Sequence, residues 1–88
     1  MGRRKAAVNL LKHKVSFLEA ATVFDDPNVI VEPDLAHSAV ESHESAIGFS
    51  RKERVLLVVY VEPDERIRLI SARRATLEER RKYESQFE

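Results

Sequence analysis

The sequence RVLLVVYVE, residues 54–62, contains an uninterrupted apolar run from Val55 to Val61. The run is rich in β-branched residues, which favour strands. A strand with one face in solvent would alternate apolar and polar residues, and this run does not. It therefore predicts a central strand that is covered on both faces.

Shorter apolar segments surround this central run. We predict strands at Asn28–Glu32, Glu44–Phe49 and Arg66–Ala72. Polar turns at residues 51–53 and 63–65 separate the last three strands, and connections this short join antiparallel neighbours. The four strands are therefore expected to form an antiparallel sheet in which the last three make a meander.

Two helices are predicted before the sheet. Residues 3–13 carry apolar residues at helical spacing. Ser16 then begins a second helix with a capping box, in which its hydroxyl accepts a backbone N–H and Glu19 reaches back to Ser16. Asp25-Asp26-Pro27 ends this helix, because proline disfavours helical backbone at the preceding residue.

A third helix is predicted at Leu77–Phe87, opened by a capping box between Thr76 and Glu79. The predicted fold class is α+β, with two N-terminal helices, an antiparallel four-stranded sheet and a C-terminal helix. At 88 residues the chain has room for one core, so residues 1–88 are predicted to form a single domain.

Composition excludes several kinds of site. The chain has no cysteine, so it has no disulfide, thiolate zinc site or cysteine nucleophile. Its 2 glycines exclude a glycine-rich phosphate loop. No apolar stretch is long enough to span a membrane, and the expected location is the cytoplasm.

Charge is unevenly distributed along a chain whose formal net charge is +0. Residues 1–16 contain five basic residues and no acid, whereas residues 17–50 contain seven acids and no Lys or Arg. This asymmetry indicates either a charged partner or two solvated faces that attract each other. The pI of about 6.8 argues against a domain that binds nucleic acid directly through overall basicity.

A group of arginines and one tyrosine forms the strongest candidate site. Arginine matches phosphate geometry through its planar guanidinium, and a helix N-terminus adds N–H donors. Strand alternation is expected to place Arg66 and Arg68 on one face. Surface ion pairs with Glu62, Glu65 and Glu78 are an equally open interpretation. The group comprises Arg66, Arg68, Arg73, Arg74, Arg80 and Tyr83.

The histidines carry weaker signals. His13, His37 and His43 show no metal-ligand spacing, so no metal site is expected. His13 ends the first helix, where a cation favours the helix dipole. The neighbouring His37 and Ser38 are weak indications of nucleophilic catalysis, because a dyad needs contact in space and not adjacency.

The chain also resembles the BrnT toxins of bacterial type II toxin–antitoxin systems over nearly its whole length. The resemblance rests on Asn9, Lys12-His13, Val15-Ser16-Phe17, Glu19-Ala20, Val23-Phe24-Asp25-Asp26-Pro27, Asp34, His37-Ser38, Ala46-Ile47-Gly48, Leu57-Val58-Val59-Tyr60, Ile67-Arg68-Leu69-Ile70-Ser71-Ala72-Arg73, Ala75-Thr76, Glu79-Arg80 and Tyr83.

This resemblance implies a RelE-like fold and a ribonuclease that blocks translation by cutting RNA, free or on the ribosome, without metal or cofactor. The 2′-hydroxyl of the RNA would attack the neighbouring phosphate. The implied partner is a BrnA-like ribbon-helix-helix antitoxin, and operator DNA would be bound only through that antitoxin. The implied assembly is a homodimer or a heterotetramer of two toxins and two antitoxins, with no membrane partner.

The resemblance also suggests roles for individual residues. Arg68 and Arg73 would clamp the phosphate, and Arg80 and Tyr83 would add contacts. Fixed cations of this kind stabilise charge that develops in a transition state. The acid–base candidates are Lys12, His13 and Glu41, with His37 behind them.

Three departures from the family pattern suggest an alternative. His43 stands where arginine is expected, and Lys14 stands where glycine is common. Family members usually open with a short strand containing Trp-Asp, whereas here residues 1–4 precede Lys5 and that strand is expected to be missing. The alternative is a weak or inactive toxin-like module that binds an antitoxin for operator repression.

Overall fold

The computed structural model describes residues 2–34 and 43–88, with side chains from residue 5 onward. It confirms the predicted α+β class, with helices before and after a four-stranded antiparallel sheet. The elements in chain order are α1 (Gly2–His13), α2 (Phe17–Ala21), a 3₁₀ turn (Thr22–Asp25), β1 (Ile30–Pro33), β2 (Glu44–Phe49), β3 (Val55–Val61), a 3₁₀ turn (Pro63–Glu65), β4 (Arg68–Arg74) and α3 (Leu77–Ser85).

The strands lie in the order β1-β2-β3-β4, so every neighbour along the chain is also a neighbour in the sheet. The predicted meander is confirmed, and β3 lies inside the sheet with burial on both faces. Leu56 and Val58 are fully buried, while Val59 and Val61 retain 8% and 3% exposure. The continuous apolar run therefore has the covered position that its pattern predicts.

A β-bulge interrupts the pairing of β3 with β4. Val59 pairs with Ser71, but Tyr60 pairs with Leu69, so Ile70 is an extra residue on β4. The bulge shifts the alternation of faces by one residue. Arg68 and Arg73 consequently share one face of the sheet, although strict alternation would separate them. Arg66 lies before β4, so the expectation that it shares a strand face with Arg68 is wrong.

One face of the sheet is covered by the N-terminal helices. The side chains of Val15, Ala20 and Val23 pack against strand residues that include Leu56 and Val58. The rings of Phe24 and Tyr60 meet edge to face, with centroids 5.0 Å apart. This face contains the main hydrophobic core.

Gly48 allows a close approach between the 3₁₀ turn Thr22–Asp25 and the sheet. A Cβ atom at this position would lie 2.7 Å from Cγ1 of Val23 and 3.1 Å from Cγ2 of Val29. Both neighbours are branched side chains in the packed interior. A larger residue at Gly48 would therefore force the 3₁₀ turn away from β2.

Asn9 ties α1 to the sheet through its buried amide, which is 5% exposed. Its Oδ1 accepts the backbone N–H of Ala72 at 2.9 Å, and its Nδ2 donates to the carbonyl of Val15 at 2.8 Å. Both ends of the amide are satisfied, as a buried polar group requires. The first helix is thereby fixed on β4, 63 positions later in the chain.

The link between α1 and α2 uses a left-handed residue. Lys14 has φ of 59°, and its N–H donates to the carbonyl of Leu10 at 2.9 Å. This is a helix C-terminal cap in which glycine avoids a steric cost. Glycine would adopt this backbone without strain, and Lys14 adopts it at a steric cost.

Only one of the two hydrogen bonds of the capping box predicted for α2 forms. The Oγ of Ser16 accepts the N–H of Glu19 at 3.0 Å, as expected. The Glu19 carboxylate does not reach back to Ser16, so that expectation is wrong. It binds Ser50 and Arg54 instead, because a buried carboxylate gains more from charged and hydroxyl donors. The second capping box, between Thr76 and Glu79, is complete and confirmed.

Candidate functional site: a polar cavity between the sheet and α3

The second face of the sheet forms a cavity with α3. Its volume is about 700 Å³. The sheet contributes hydroxyls and apolar side chains, and α3 contributes charged side chains. The lining residues are Glu32, Asp34, Ser45, Ile47, Leu57, Val59, Ser71, Arg73, Thr76, Glu78, Glu79 and Lys82. Among the predicted site residues that the structure describes, the lining includes Arg73 alone.

Arg73 lies on β4 with 36% of its side chain exposed. Its Nη1 and Nη2 donate to the two carboxylate oxygens of Glu79 at 2.8 and 2.9 Å, and Nη1 also donates to the carbonyl of Arg74 at 3.1 Å. The hydrogen bond to Glu79 raises the pKa of Arg73, against an opposing effect of burial. The guanidinium is therefore charged and held in one orientation.

Glu79 is fixed by the start of α3. Its Oε1 accepts the N–H of Thr76 at 2.9 Å, while its own N–H donates to the Thr76 hydroxyl at 3.2 Å. The Arg73 hydrogen bonds lower the pKa of Glu79, burial opposes them, and the Thr76 N–H lowers it further. The carboxylate is thus ionised at neutral pH and belongs to both the helix cap and the cavity.

The other cation of the cavity is also paired within the chain. The ammonium of Lys82 on α3 donates to the carboxylate of Glu32 on β1. Asp34 and Glu78 add two further carboxylates to the lining. The sequence suggested ion pairs between the arginines and Glu62, Glu65 and Glu78. The partner of Arg73 is instead Glu79.

Arg68 and Arg80 lie outside the cavity lining. Arg68 is exposed and is the first residue of β4, on the same sheet face as Arg73. Arg80 lines a second cleft, with Phe49 and Arg74, and its Nε lies 4.0 Å from the carboxylate of Glu84. The structure therefore does not gather the predicted arginines around a single point.

Tyr83 is buried, with 6% exposure, and its hydroxyl donates to the carboxylate of Asp26. Burial and this hydrogen bond raise the pKa of Tyr83 to about 12. Burial acts to raise the pKa of Asp26, but the hydrogen bonds donated by Tyr83, Phe49 and Asn28 outweigh burial. The pKa of Asp26 is therefore below its ordinary value. The hydroxyl of Tyr83 thus anchors α3 to the turn before β1.

Of the acid–base candidates, Lys12 and His13 lie in the described residues, and neither lines the cavity that contains Arg73. Lys12 is exposed and His13 is half-buried on α1, whose Asn9 accepts the backbone N–H of Ala72 on β4. Glu41 and His37 fall outside the described residues. Within the described ranges, no group of three or more His, Asp or Glu side chains is arranged to hold a metal ion.

Glu19 and Arg54 form a second arginine–carboxylate pair, which the sequence did not reveal. Nε and Nη2 of Arg54 donate to the two oxygens of Glu19 at 2.7 and 2.5 Å. The Arg54 hydrogen bonds lower the pKa of Glu19, and burial opposes them. The available signal was an acidic residue next to Ala20 on the apolar side of a short helix, because a buried carboxylate needs a partner.

The fold and the cavity define a small α+β domain that presents an arginine in a cavity between an antiparallel sheet and its C-terminal helix. The chain belongs to the family described as the ribonuclease toxin, BrnT, of type II toxin–antitoxin systems, whose match covers residues 2–79. Arg73 and Glu79 lie within the matched range, and Arg80 and Tyr83 lie beyond it. None of the curated proteins matches the chain. No helix in the described ranges is both long and apolar enough to cross a membrane.

Proposed function

We propose that the chain is a RelE-like endoribonuclease that cuts RNA without a metal ion and so inhibits translation in the cytoplasm. The family assignment names a ribonuclease toxin. The observation that carries the proposal is Arg73, a charged and oriented guanidinium in a polar cavity between the sheet and α3. In this reaction the 2′-hydroxyl attacks the adjacent phosphorus, and the 5′-oxygen leaves with a proton.

Arg73 is the proposed contact to the reacting phosphate. Attack by the 2′-hydroxyl adds negative charge to the phosphate oxygens, and a fixed guanidinium stabilises that charge in the transition state. Arg68 lies on the same face but five residues earlier on β4. Their Cα atoms are roughly 13–16 Å apart in a bulged strand. Arg68 is therefore proposed to bind a neighbouring phosphate of the same RNA.

The remaining site residues are proposed to have supporting roles. Arg80 is proposed to contact RNA that leaves the cavity along α3, since its side chain is 54% exposed. Tyr83 is proposed to act by fixing α3 through Asp26. Lys12, His13 and Glu41 remain the proposed acid–base groups, with His37 behind them, because the reaction needs a proton acceptor and a proton donor.

The proposed partner is a BrnA-like ribbon-helix-helix antitoxin, through which operator DNA is bound in a two-toxin, two-antitoxin assembly. A type II system implies an antitoxin. Large apolar side chains are exposed on the N-terminal helices, including Val8 at 56%, Leu11 at 76% and Leu18 at 79%. Lys5 and Lys12 are exposed on the same α1. Such a surface suits an acidic, apolar segment of a protein partner.

The test is cleavage of a defined RNA in excess EDTA by the parent chain and by Arg73→Ala. We expect the parent to cut and the variant to lose most of its activity, by about 100-fold or more. Arg51→Ala is the matched control, because Arg51 is an exposed arginine in the turn between β2 and β3 and lies outside the cavity lining. Equal loss in both variants contradicts the proposed role of Arg73, and cleavage that requires added metal contradicts the mechanism.

A second candidate function is an inactive, antitoxin-binding module. It is favoured by the internal pairing of both cavity cations, Arg73 with Glu79 and Lys82 with Glu32. This alternative predicts antitoxin binding with no cleavage of free RNA or of ribosome-bound mRNA. Cleavage by the parent chain, with or without ribosomes, excludes it.

A further inference from the structure

The guanidinium of an arginine presents two pairs of parallel donors. One pair is formed by Nη1 and Nη2 at the end of the side chain, and the other by Nε and the outer proton of Nη2. Either pair matches two oxygens of a carboxylate or a phosphate. The pair that an arginine uses within the protein determines which pair remains for a ligand.

Arg73 binds Glu79 through its end pair. Nη1 and Nη2 each donate to one oxygen of Glu79, and the second proton of Nη1 is directed to the carbonyl of Arg74. Among the described residues, none accepts from Nε of Arg73. The Nε–Nη2 pair of this half-exposed side chain therefore retains its capacity for two oxygens of a ligand.

We propose that Glu79 is a positioning residue, which holds Arg73 by one donor pair so that the other receives the phosphate of the RNA. This inference rests on the proposed function. It assigns Glu79 a role beyond the helix cap, which is the only role that the sequence pattern predicts for this residue. Glu79 itself does not contact the substrate.

The start of α3 makes Glu79 a fixed anchor. Its Oε1 binds the N–H of Thr76 in addition to Arg73, and the hydroxyl of Thr76 binds the N–H of Glu79. Glu79 is held through its carboxylate and through its backbone N–H, so its carboxylate does not move with the guanidinium of Arg73. The orientation of Arg73 is therefore set by the backbone of α3, which reduces the ordering cost when phosphate binds.

The neighbouring Glu78 provides the contrast. It lies on the same turn of α3 and lines the same cavity, but its side chain is exposed and it forms no hydrogen bond or ion pair with Arg73. A general effect of negative charge on RNA binding would therefore be shared by both residues. A positioning effect belongs to Glu79 alone, so Glu78→Gln is the matched control for Glu79→Gln.

The experiment measures RNA cleavage in excess EDTA and, in parallel, the ¹⁵N signal of the Arg73 Nε–H group. We expect Glu79→Gln to lower kcat by about 10–100-fold with a smaller change in KM, since a misplaced group loses catalysis more than binding. We expect the Arg73 Nε–H signal to broaden or exchange faster in this variant. Glu78→Gln should leave kcat and the Arg73 signal near their parent values.

Thr76→Ala separates positioning from helix capping. It removes the hydroxyl that accepts the N–H of Glu79 but leaves the bond from the Thr76 backbone N–H to the carboxylate. We expect this variant to lower stability while retaining an ordered Arg73 signal and most of kcat. A parallel loss in Thr76→Ala and Glu79→Gln would show that Glu79 acts only as a cap.

Two further outcomes decide between the proposals. If Glu79→Gln cuts RNA as fast as the parent or faster, the carboxylate competes with phosphate and the positioning role is wrong. If the parent cuts neither free RNA nor ribosome-bound mRNA, the proposed function fails, and binding of a 2′-deoxy dinucleotide still tests the inference. Perturbation of the Arg73 Nε–H signal in the parent, weakened in Glu79→Gln, supports positioning; an unchanged signal in the parent overturns it.

Discussion

Two arginine–glutamate pairs lie on opposite sides of the sheet, and they use their arginines differently. Arg54 binds Glu19 through Nε and Nη2, whereas Arg73 binds Glu79 through Nη1 and Nη2. Exposure of the side chains is 22% and 1% in the first pair, against 36% and 24% in the second. The first arrangement consumes the donors that a ligand would need, and the second preserves them.

The surroundings of each pair reinforce this difference. Nη2 of Arg54 also donates to the carbonyl of Lys14 at 2.9 Å, and Ser50 donates to Glu19 at 2.7 Å. The pair thus joins both N-terminal helices to the turn between β2 and β3. Glu79 binds Arg73 within a cavity and leaves part of the guanidinium exposed. One pair supports the fold, and the other is placed where a ligand can reach it.

The largest effect is expected for Arg54→Ala, which leaves the fully buried Glu19 without its cation. Removal of one partner from a buried pair costs about 3–5 kcal/mol of unfolding free energy. Urea denaturation followed by circular dichroism measures the loss. Arg51→Ala, an exposed change in the adjacent turn, is the control and should shift the midpoint little. Equal shifts in both variants would contradict the structural role of Arg54.

Acid should reveal the same pair. Because the pKa of folded Glu19 is below its ordinary value of 4.5, its ionised form stabilises the fold above pH 4.5. That stabilisation is lost as the pH falls through the folded pKa. The difference in stability between the parent and Glu19→Gln should therefore shrink on acidification. Urea midpoints at several pH values measure this difference, and a gap that widens in acid would contradict the assignment.

Alkali should test how α3 is held over the cavity. With its pKa raised to about 12, Tyr83 stabilises the fold fully below its ordinary value of 10.0, and this contribution is lost as the pH rises towards 12. Tyr83→Phe should cost about 1–2 kcal/mol at neutral pH, because Asp26 loses a donor. Tyrosinate absorbance follows the ionisation. An early ionisation near pH 10 that disappears in Tyr83→Phe would show that this hydroxyl is free.

The smallest effect on stability is expected for Arg73→Ala. Half-exposed ion pairs contribute about 0.2–1 kcal/mol because solvent screens them. The urea midpoint of Arg73→Ala should therefore lie close to that of the parent, although RNA cleavage is lost. Arg54→Ala should instead lower the urea midpoint. A loss of several kcal/mol of unfolding free energy in Arg73→Ala would show that both arginine–glutamate pairs support the fold.

Most of the fold was predictable because it depends on local patterns. The apolar run of β3, the short turns beside it and the capping box at Thr76 each act over a few residues, and the structure confirms them. The end of the helical segment before Pro27 is equally local, since a proline restricts the preceding residue to extended backbone, and Asp26 is extended. Such features need no knowledge of distant parts of the chain.

The site was less predictable because it depends on long-range pairing and on one inserted residue. Glu19 and Arg54 are 35 positions apart, and neither carries a local signal for the other. The bulge at Ile70 places Arg68 and Arg73 on the same face of the sheet. The alternation of apolar and polar residues in the sequence does not reveal this extra residue. The position of Tyr83 follows from its bond to Asp26, 57 residues earlier. Each of these features arises from tertiary packing.

The amide of Asn9 has a consequence for self-association. β4 is one of the two outer strands of the sheet, and the N–H of Ala72 on this strand donates to Asn9 and not to β3. An outer strand with unsatisfied backbone groups is a template for a strand from another molecule. By occupying that N–H, one side chain of α1 interrupts the row on which intermolecular β-strand addition would begin. The amide that fixes the helix therefore also removes one of the backbone donors that another strand would need at this edge.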